Sequence, residues 1–370
     1  MKKTQRLAVL IAFATFFVAC EKEPQTTETT SEVIPVQQTP LTHALILNEG
    51  DPLLNNATLS YIDLATGSLT NDWFLANNNR PLGSLGGDII VYGSKIYVTV
   101  SQSGTLEVID SLTGVSHQYS LGNSYPNRMT ANNGKLYITC HYPRSVISID
   151  TTAPGNVEAS CLLGDYNPEG IAILNGKLFV ASTWVSDSYN NVSYDNTIYV
   201  VDINSFTVDT TLTVATNPQK VIPVDNNRVI VNCWGAWDMN NGSTTGVGTA
   251  IIDATTLSVT TSPQLLTRMA VHNGLVYGYS STYDADWHQT INYFTFNPTT
   301  LETTPLPIHL DDDDTYNPYS IAIHPDNGDI YLSTDGGTNG AKGDLYCFSS
   351  NGTRRWRNEV GKFPSKIIFY

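Results

Sequence analysis

Short apolar runs alternate with turn-forming clusters along the chain, and one order of runs and turns keeps returning. "YNPEGIAILNGKLFV" (166–180) comes back as "YNPYSIAIHPDNGDIYL" (316–332) and, more loosely, as "NSYPNRMTANNGKLYIT" (123–139). Each unit opens on a Pro-containing turn: "YPNR" at 125, "YNPE" at 166, "TNPQ" at 216, "YNPY" at 316 and "KFPS" at 362. An apolar strand follows, then a turn such as "NNGK" (132–135), "LNGK" (174–177), "DNNR" (225–228), "HNGL" (272–275) or "DNGD" (326–329). Asn-Gly between two strands is a strong hairpin signal, because the tight turn needs two residues that tolerate positive φ. Second strands such as "KLYIT" and "KLFVA" come next. A variable loop then leads to a third strand, usually ending in Asp: "LSYID" (59–63), "LEVID" (106–110), "VISID" (146–150), "IYVVD" (198–202) and "AIID" (250–253). "NYFTFN" at 292 and "LYCFS" at 345 hold the same place. A weaker Thr/Val-rich strand closes each unit, as in "TVDTTLTV" (207–214).

The third strands end 40 to 52 residues apart, the period of a four-stranded propeller blade. Third strands number seven, but complete pairs of first and second strands number six. The seventh blade must therefore draw on both chain ends, with "SKIIFY" as its inner strand and "HALILNE" and "ATLSYID" as the next two. The pattern predicts an all-β fold, a seven-bladed β-propeller over 43–370, closed by pairing N- and C-terminal strands in one composite blade. That closure leaves no open sheet edge in the ring.

Strand alternation then sorts the loops by face. The Asn-Gly hairpins and the Asp turns share one face, where Asx turns explain Asp63, Asp110 and Asp253 better than catalysis does. The opposite face takes the linkers into the first strands and the unequal loops between second and third strands. Those loops are 48–56, 101–104, 140–145, 182–196, 233–248, 280–289 and 334–344. They carry Trp184, Trp234, Trp237 and Trp287, with Tyr142 and Tyr283, while the linkers bring Arg80, Arg128, Tyr166, Asn167, Tyr316 and Asn317. Aromatic residues crowded on long loops either pack on one another or bind something, and these twelve are the candidate ligand-binding residues.

Composition narrows the classes. Formal charge is −15, with 34 acids. It becomes more negative still if Lys2, Lys3 and Arg6 are removed with a leader. A nucleic-acid binder needs a basic face, so that class is excluded. Residues 1–19 read as a signal peptide: a basic start, then an apolar run from Leu7 to Val18 too short to span a bilayer. "FFVAC" is similar to a bacterial lipobox, which makes Cys20 the lipidation site and 20–42 a polar, disordered tether. Cys140, Cys161, Cys233 and Cys347 lie in or beside apolar strands and read as buried thiols, with a Cys140–Cys161 bridge left open. No G-x-S-x-G elbow, P-loop, HExxH or GxGxxG occurs, so no catalytic residue, metal or cofactor is expected. "DDDD" (311–314) lacks the glycine spacing of a calcium loop, and Asp335, Asn339 and Asp344 offer oxygens of the kind calcium takes in a Gly-rich stretch that reads better as a flexible loop, with calcium there left open.

The repeats "NGKLYIT…SVISID" and "NGKLFVA…TIYVVD" resemble the YncE-like propellers. With the lipoprotein leader and the opening "LILNEG…ATLSYID", the chain resembles the BtuG-type cobalamin-binding surface lipoproteins of gut Gram-negative bacteria. That resemblance implies a lipid-anchored, surface-exposed outer-membrane protein that is monomeric, captures a corrinoid as ligand, and passes it to a TonB-dependent transporter. Other readings of the same aromatic face are a surface glycan or nutrient binder and a protein-docking propeller.

Overall fold

The computed structural model describes residues 40–187, 191–238, 243–284, 288–310, 317–337 and 341–370. The chain closes into seven four-stranded antiparallel sheets. Their inner strands are Gly86–Tyr92, Pro126–Asn132, Pro168–Leu174, Pro218–Pro223, Arg268–His272, Pro318–Ile323 and Pro364–Phe369, which define blades 1 to 7. Blade 7 is the composite: Pro364–Phe369 pairs with His43–Asn48, which pairs with Thr58–Asp63 and then Leu69–Thr70. Seven blades and closure by the two ends are as the repeats predict.

The local chemistry follows the sequence closely. Asn133-Gly134, Asn175-Gly176 and Asn273-Gly274 each have both residues at positive φ, the geometry of a tight primed hairpin turn. Asp63 Oδ1 accepts from the backbone N–H groups of Ala65 and Thr66, and Asp110, Asp202 and Asp253 repeat the motif. These Asp residues cap turns, and their hydrogen bonds hold the carboxyls below the usual range.

Seven apolar clusters form the core, and each lies between two consecutive blades. Second strands are therefore buried on both faces; in Lys95–Val100 every residue after Lys95 is buried. The outer strand has a neighbour on one edge only, so Thr207–Thr213 keeps most of its residues in water and its pattern is weak.

A second set of contacts is polar. Each second strand of blades 1 to 6 carries a buried polar side chain that bonds to the next inner strand or to the residues leading into it. Thr99 donates to Asn127 O (2.6 Å), Thr139 to Glu169 O (3.0 Å), Asn232 to Leu266 O (2.8 Å), Tyr279 to Pro318 O (2.6 Å) and Ser333 to Pro364 O (2.6 Å). Thr183 meets Asn217 and Gln219 at the equivalent junction. Where blade 7 meets blade 1 the backbone does this work, Gly86 N donating to Glu49 O (2.9 Å).

The structure departs from the sequence reading in two places and answers a question it left open. The aromatic loops of blades 3, 4 and 5 are β-hairpin arms: Trp184 pairs with Tyr194, Trp237 with Thr244, and Tyr283 with Gln289. Standing outside the core, these arms have no buried face, so no apolar alternation marks them as strands. The open question is the Cys140–Cys161 bridge: both are buried free thiols, as the apolar strands suggest, Cys140 in the core between blades 1 and 2 and Cys161 in that between blades 2 and 3. Burial raises both thiols, Cys140 to about 12. Finally, "WFLANN" (73–78) forms a short helix that the repeats do not announce; Trp73 stacks on Tyr61 at 5.8 Å and Phe74 is buried.

Thr139→Val tests the polar junction. Its hydroxyl also accepts from Arg128 N (3.0 Å), so the near-isosteric valine leaves a buried donor unmatched. Urea unfolding should show a loss of about 1–3 kcal/mol with unchanged m; an unaltered midpoint would mean that these bonds contribute nothing net.

Candidate functional site

The channel is built by the opening residues of the inner strands. Five inner strands open on proline, which has no N–H to give to the ladder, and the pairing slips there, as it does at Gly86 of blade 1. Such a bulge turns the next side chains away from the blade. In blades 1 to 4 and 7 the result is Asp88, Arg128, Glu169, Lys220 and Lys366 around one cavity of about 150 Å³, which Arg268 joins from the regularly paired inner strand of blade 5. Glu49 and Trp234 complete its wall. Both follow second strands, which places the cavity on the face of the aromatic arms.

Most of these charges are paired across a junction. Arg128 Nε donates to Glu169 Oε1 at 2.9 Å, and a second nitrogen reaches back to Gly87 O of blade 1. Asn127 Nδ2 donates to Glu169 Oε2 at 2.6 Å, and His141 Nε2 lies 3.4 Å from that oxygen. Burial alone would raise the Glu169 carboxyl, but Arg128, His141 and Asn127 outweigh it and bring it down to about 2. Burial likewise opposes the charge on Arg128, and Glu169, Glu49 and Asp88 reverse the balance. Lys366 Nζ lies 2.5 Å from Asp88 Oδ1, while Met129 N donates to Asp88 Oδ2 at 2.9 Å. Glu49 accepts from the Tyr319 hydroxyl at 2.8 Å.

Two cations are arranged differently. Arg268 lies 4.5 Å over the Trp234 ring and 5.6 Å from the Tyr319 ring, and donates to Tyr319 O (2.9 Å) and Thr267 O (3.2 Å). Trp234 is itself fixed, its Nε1 donating to Thr267 O at 2.9 Å. Lys220 Nζ donates to Met269 O at 3.0 Å. Among the described residues neither cation has a carboxylate partner. The crowded centre of the ring, and then the like charges of Lys366, Arg128 and Arg268, bring the Lys220 ammonium down to about 7.

The predicted site residues divide into groups. Arg128 and Trp234 line the cavity. Trp184, Tyr142 and Tyr283 are exposed, at 40%, 64% and 45%, and Trp237 is half-buried on the blade 4 arm. Tyr166 is half-buried; Asn167 accepts from Arg144 Nε (3.2 Å), and its N–H meets Trp184 O (3.3 Å). Asn317 N donates to Asp335 (3.1 Å), whereas Trp287 and Tyr316 lie outside the described residues. Arg80 belongs elsewhere: it makes a bidentate pair with fully buried Glu107, at 2.8 and 2.6 Å, beneath the short helix. A linker position does not reveal a partner that sits on a third strand.

Tyr166, Asn167 and Asn317, singled out from the sequence, precede a strand-opening proline, whereas Arg128 and the unpredicted Glu169, Lys220 and Lys366 follow one. A polar or charged residue opening an apolar strand was the missed signal for Glu169, Lys220 and Lys366. Among the described residues no cluster of three His, Cys, Asp or Glu side chains is placed to hold a metal, and Asp344 pairs with Arg357 at 2.8 Å. Asn339 lies outside the described residues.

No protein-family model matches the chain, and no curated protein sequence matches it. Solved structures share its shape. A hypothetical selenium-binding protein from Sulfolobus tokodaii has a TM-score of 0.64 at 11% identity, over 90% of this chain and 94% of that one. A functionally unknown protein from Desulfotomaculum acetoxidans has a TM-score of 0.61 at 15% identity, over 89% and 98%. The β-propeller domain of Cps50 (Swd1) from Myceliophteria thermophila has a TM-score of 0.52 at 10% identity, over 75% and 87%. At such identities the likeness establishes the propeller fold and nothing further.

Glu169 has a folded-state pKa below its ordinary 4.5, so its contribution is fully present above that pH and is lost as pH falls toward about 2. Unfolding midpoints measured between those pH values should decline less steeply in Glu169→Gln; equal slopes would remove the ion pair as their cause. Arg80→Met should cost about 3 kcal/mol in denaturant unfolding by stranding Glu107, and should leave any binding at the cavity unchanged.

Proposed function

We propose that this propeller is a non-catalytic binding protein that captures a corrinoid, cobalamin or a relative, on the face carrying the arms of blades 3 to 5. The observation that carries the reading is the mouth itself. Exposed Trp184, Tyr142 and Tyr283, with Leu53 and Leu54 at 82% and 64%, lie on the face whose central cavity holds only about 150 Å³. Enclosing pockets for drug-sized ligands run to about 300–1,000 Å³. A large ligand here must lie across the mouth and admit at most one substituent to the channel. A corrin suits that arrangement, with a broad apolar plane for aromatic contact and a rim of amides for groups such as Asn167 and Asn317.

The remainder of the proposal rests on the leader and the resemblance. Cys20 carries the lipid, the protein is displayed on the outer membrane as a monomer, and a TonB-dependent transporter receives the ligand. Glycan capture is the competing reading, favoured by the exposed Trp184 ring beside Tyr194 on one arm, an arrangement on which a sugar ring can stack.

Spectral titration with cyanocobalamin is the direct test, with saturation expected at roughly micromolar concentration or below. Trp184→Ala and Trp234→Ala should each weaken binding severalfold while the thermal midpoint stays within a few degrees. Absence of a spectral change would end the corrinoid reading, and a positive carbohydrate array would put the glycan in its place.

A further inference from the structure

We infer that the channel mouth holds an oxyanion-binding subsite, in which Lys220 of blade 4 and Arg268 of blade 5 take one carboxylate or phosphate group. Charge is the first support. The cavity carries four cations, Arg128, Lys220, Arg268 and Lys366, against three carboxylates, Glu49, Asp88 and Glu169. Arg128 is spent on Glu169 and Lys366 on Asp88, which leaves Lys220 and Arg268 against Glu49 alone, a net excess of one cation. A local excess of cations stands out in a chain of formal charge −15.

Geometry is the second support. A guanidinium has five N–H donors and an ammonium three. Arg268 uses donors on Tyr319 O and Thr267 O, and Lys220 one on Met269 O. The rest have no protein acceptor among the described residues, although both side chains line the cavity. Arg268 is also preorganised, its plane held against Trp234 and its Nε tied to the blade 6 backbone. A fixed fork beside a point charge is a recurrent way to bind carboxylate or phosphate. The volume of about 150 Å³ admits one such group and excludes a larger body. Glu49 lies in the same wall, but Tyr319 donates to its carboxylate.

The subsite does not depend on the corrinoid reading. Its oxyanion has two sources, a free small anion or a substituent of a larger ligand. Calorimetric or NMR titration of the ligand-free protein with inorganic phosphate, acetate and dimethyl phosphate separates them. Saturable binding of phosphate or acetate indicates a free anion; binding of dimethyl phosphate alone indicates a diester substituent; either supports the subsite. Lys220→Met and Arg268→Gln should each weaken that binding about tenfold or more, while Lys177→Met, remote from the cavity, should not change it.

Should a variant fail to fold, the unaltered protein still decides the matter. Acetate keeps its charge over the neutral range, whereas Lys220, facing Asp88, Arg128, Glu169, Arg268, Lys366 and Glu49, loses its proton there. Acetate affinity should therefore fall severalfold between about pH 6 and pH 9. No saturable binding of any probe up to roughly 10 mM, or binding indifferent to both substitutions and to pH, overturns the proposal.

Discussion

At six of the seven junctions a buried side chain of a second strand bonds to the opening of the next inner strand or to the residues just before it. Apolar packing between the blades supplies most of the cohesion, but it is non-directional and tolerates sliding. Hydrogen bonds such as Thr139 to Glu169 O or Ser333 to Pro364 O fix the height of one blade against the next. They also act at the strand openings, where proline has already interrupted the ladder. Side chains beside a pinned and bulged backbone have one way to go, which is into the channel. The geometry of the mouth is thus a consequence of how the blades are joined.

The join also explains why charges can gather there. Arg128 reaches Gly87 O in one neighbouring blade and Glu169 in the other, and Lys366 crosses from blade 7 to Asp88 in blade 1. Each pairing bridges a junction that the buried hydrogen bonds already hold at a set spacing. Blades 7, 1, 2 and 3 are neutralised in this way. At blades 4 and 5 the cations bond to backbone carbonyls instead, and these two blades also bear aromatic arms. Trp234 belongs to both systems, since it opens the blade 4 arm and supports Arg268 from above. The asymmetry of the face and the asymmetry of the channel therefore meet at one residue.

The fold was legible because its signals are local and repeated. Asn-Gly turns, Asp caps and doubly buried second strands all recur at one period, so any single weak signal is corroborated by its copies. The site was less legible for the opposite reason. Arg80 and Arg128 look alike in the sequence, both being basic residues in linkers to inner strands. Their fates are set by partners far along the chain, Glu107 on a third strand and Glu169 on another blade. The arms read as irregular loops because a hairpin standing in water has no apolar face to display. The helix at 73–78 belongs to no repeat and had nothing to corroborate it.

The two residues following each strand-opening proline set much of the difference between blades at the channel wall. They are Asn127-Arg128, Glu169-Gly170, Gln219-Lys220, Tyr319-Ser320 and Ser365-Lys366. The apolar residues behind them hardly vary, because the core requires them. Blade 3 shows how tightly the pair is constrained. A Cβ on Gly170 would come within 2.2 Å of Gln219 O and 2.8 Å of Lys220 Cα, so the second position there cannot hold a side chain without moving blade 4. The charge of blade 3 falls instead on the first position, where Glu169 can reach Arg128. The same close approach sets the Lys220 backbone against blade 3 while its side chain turns toward blade 5. A change from one blade to the next in these two letters therefore alters the chemistry of the mouth without disturbing the repeat that builds it.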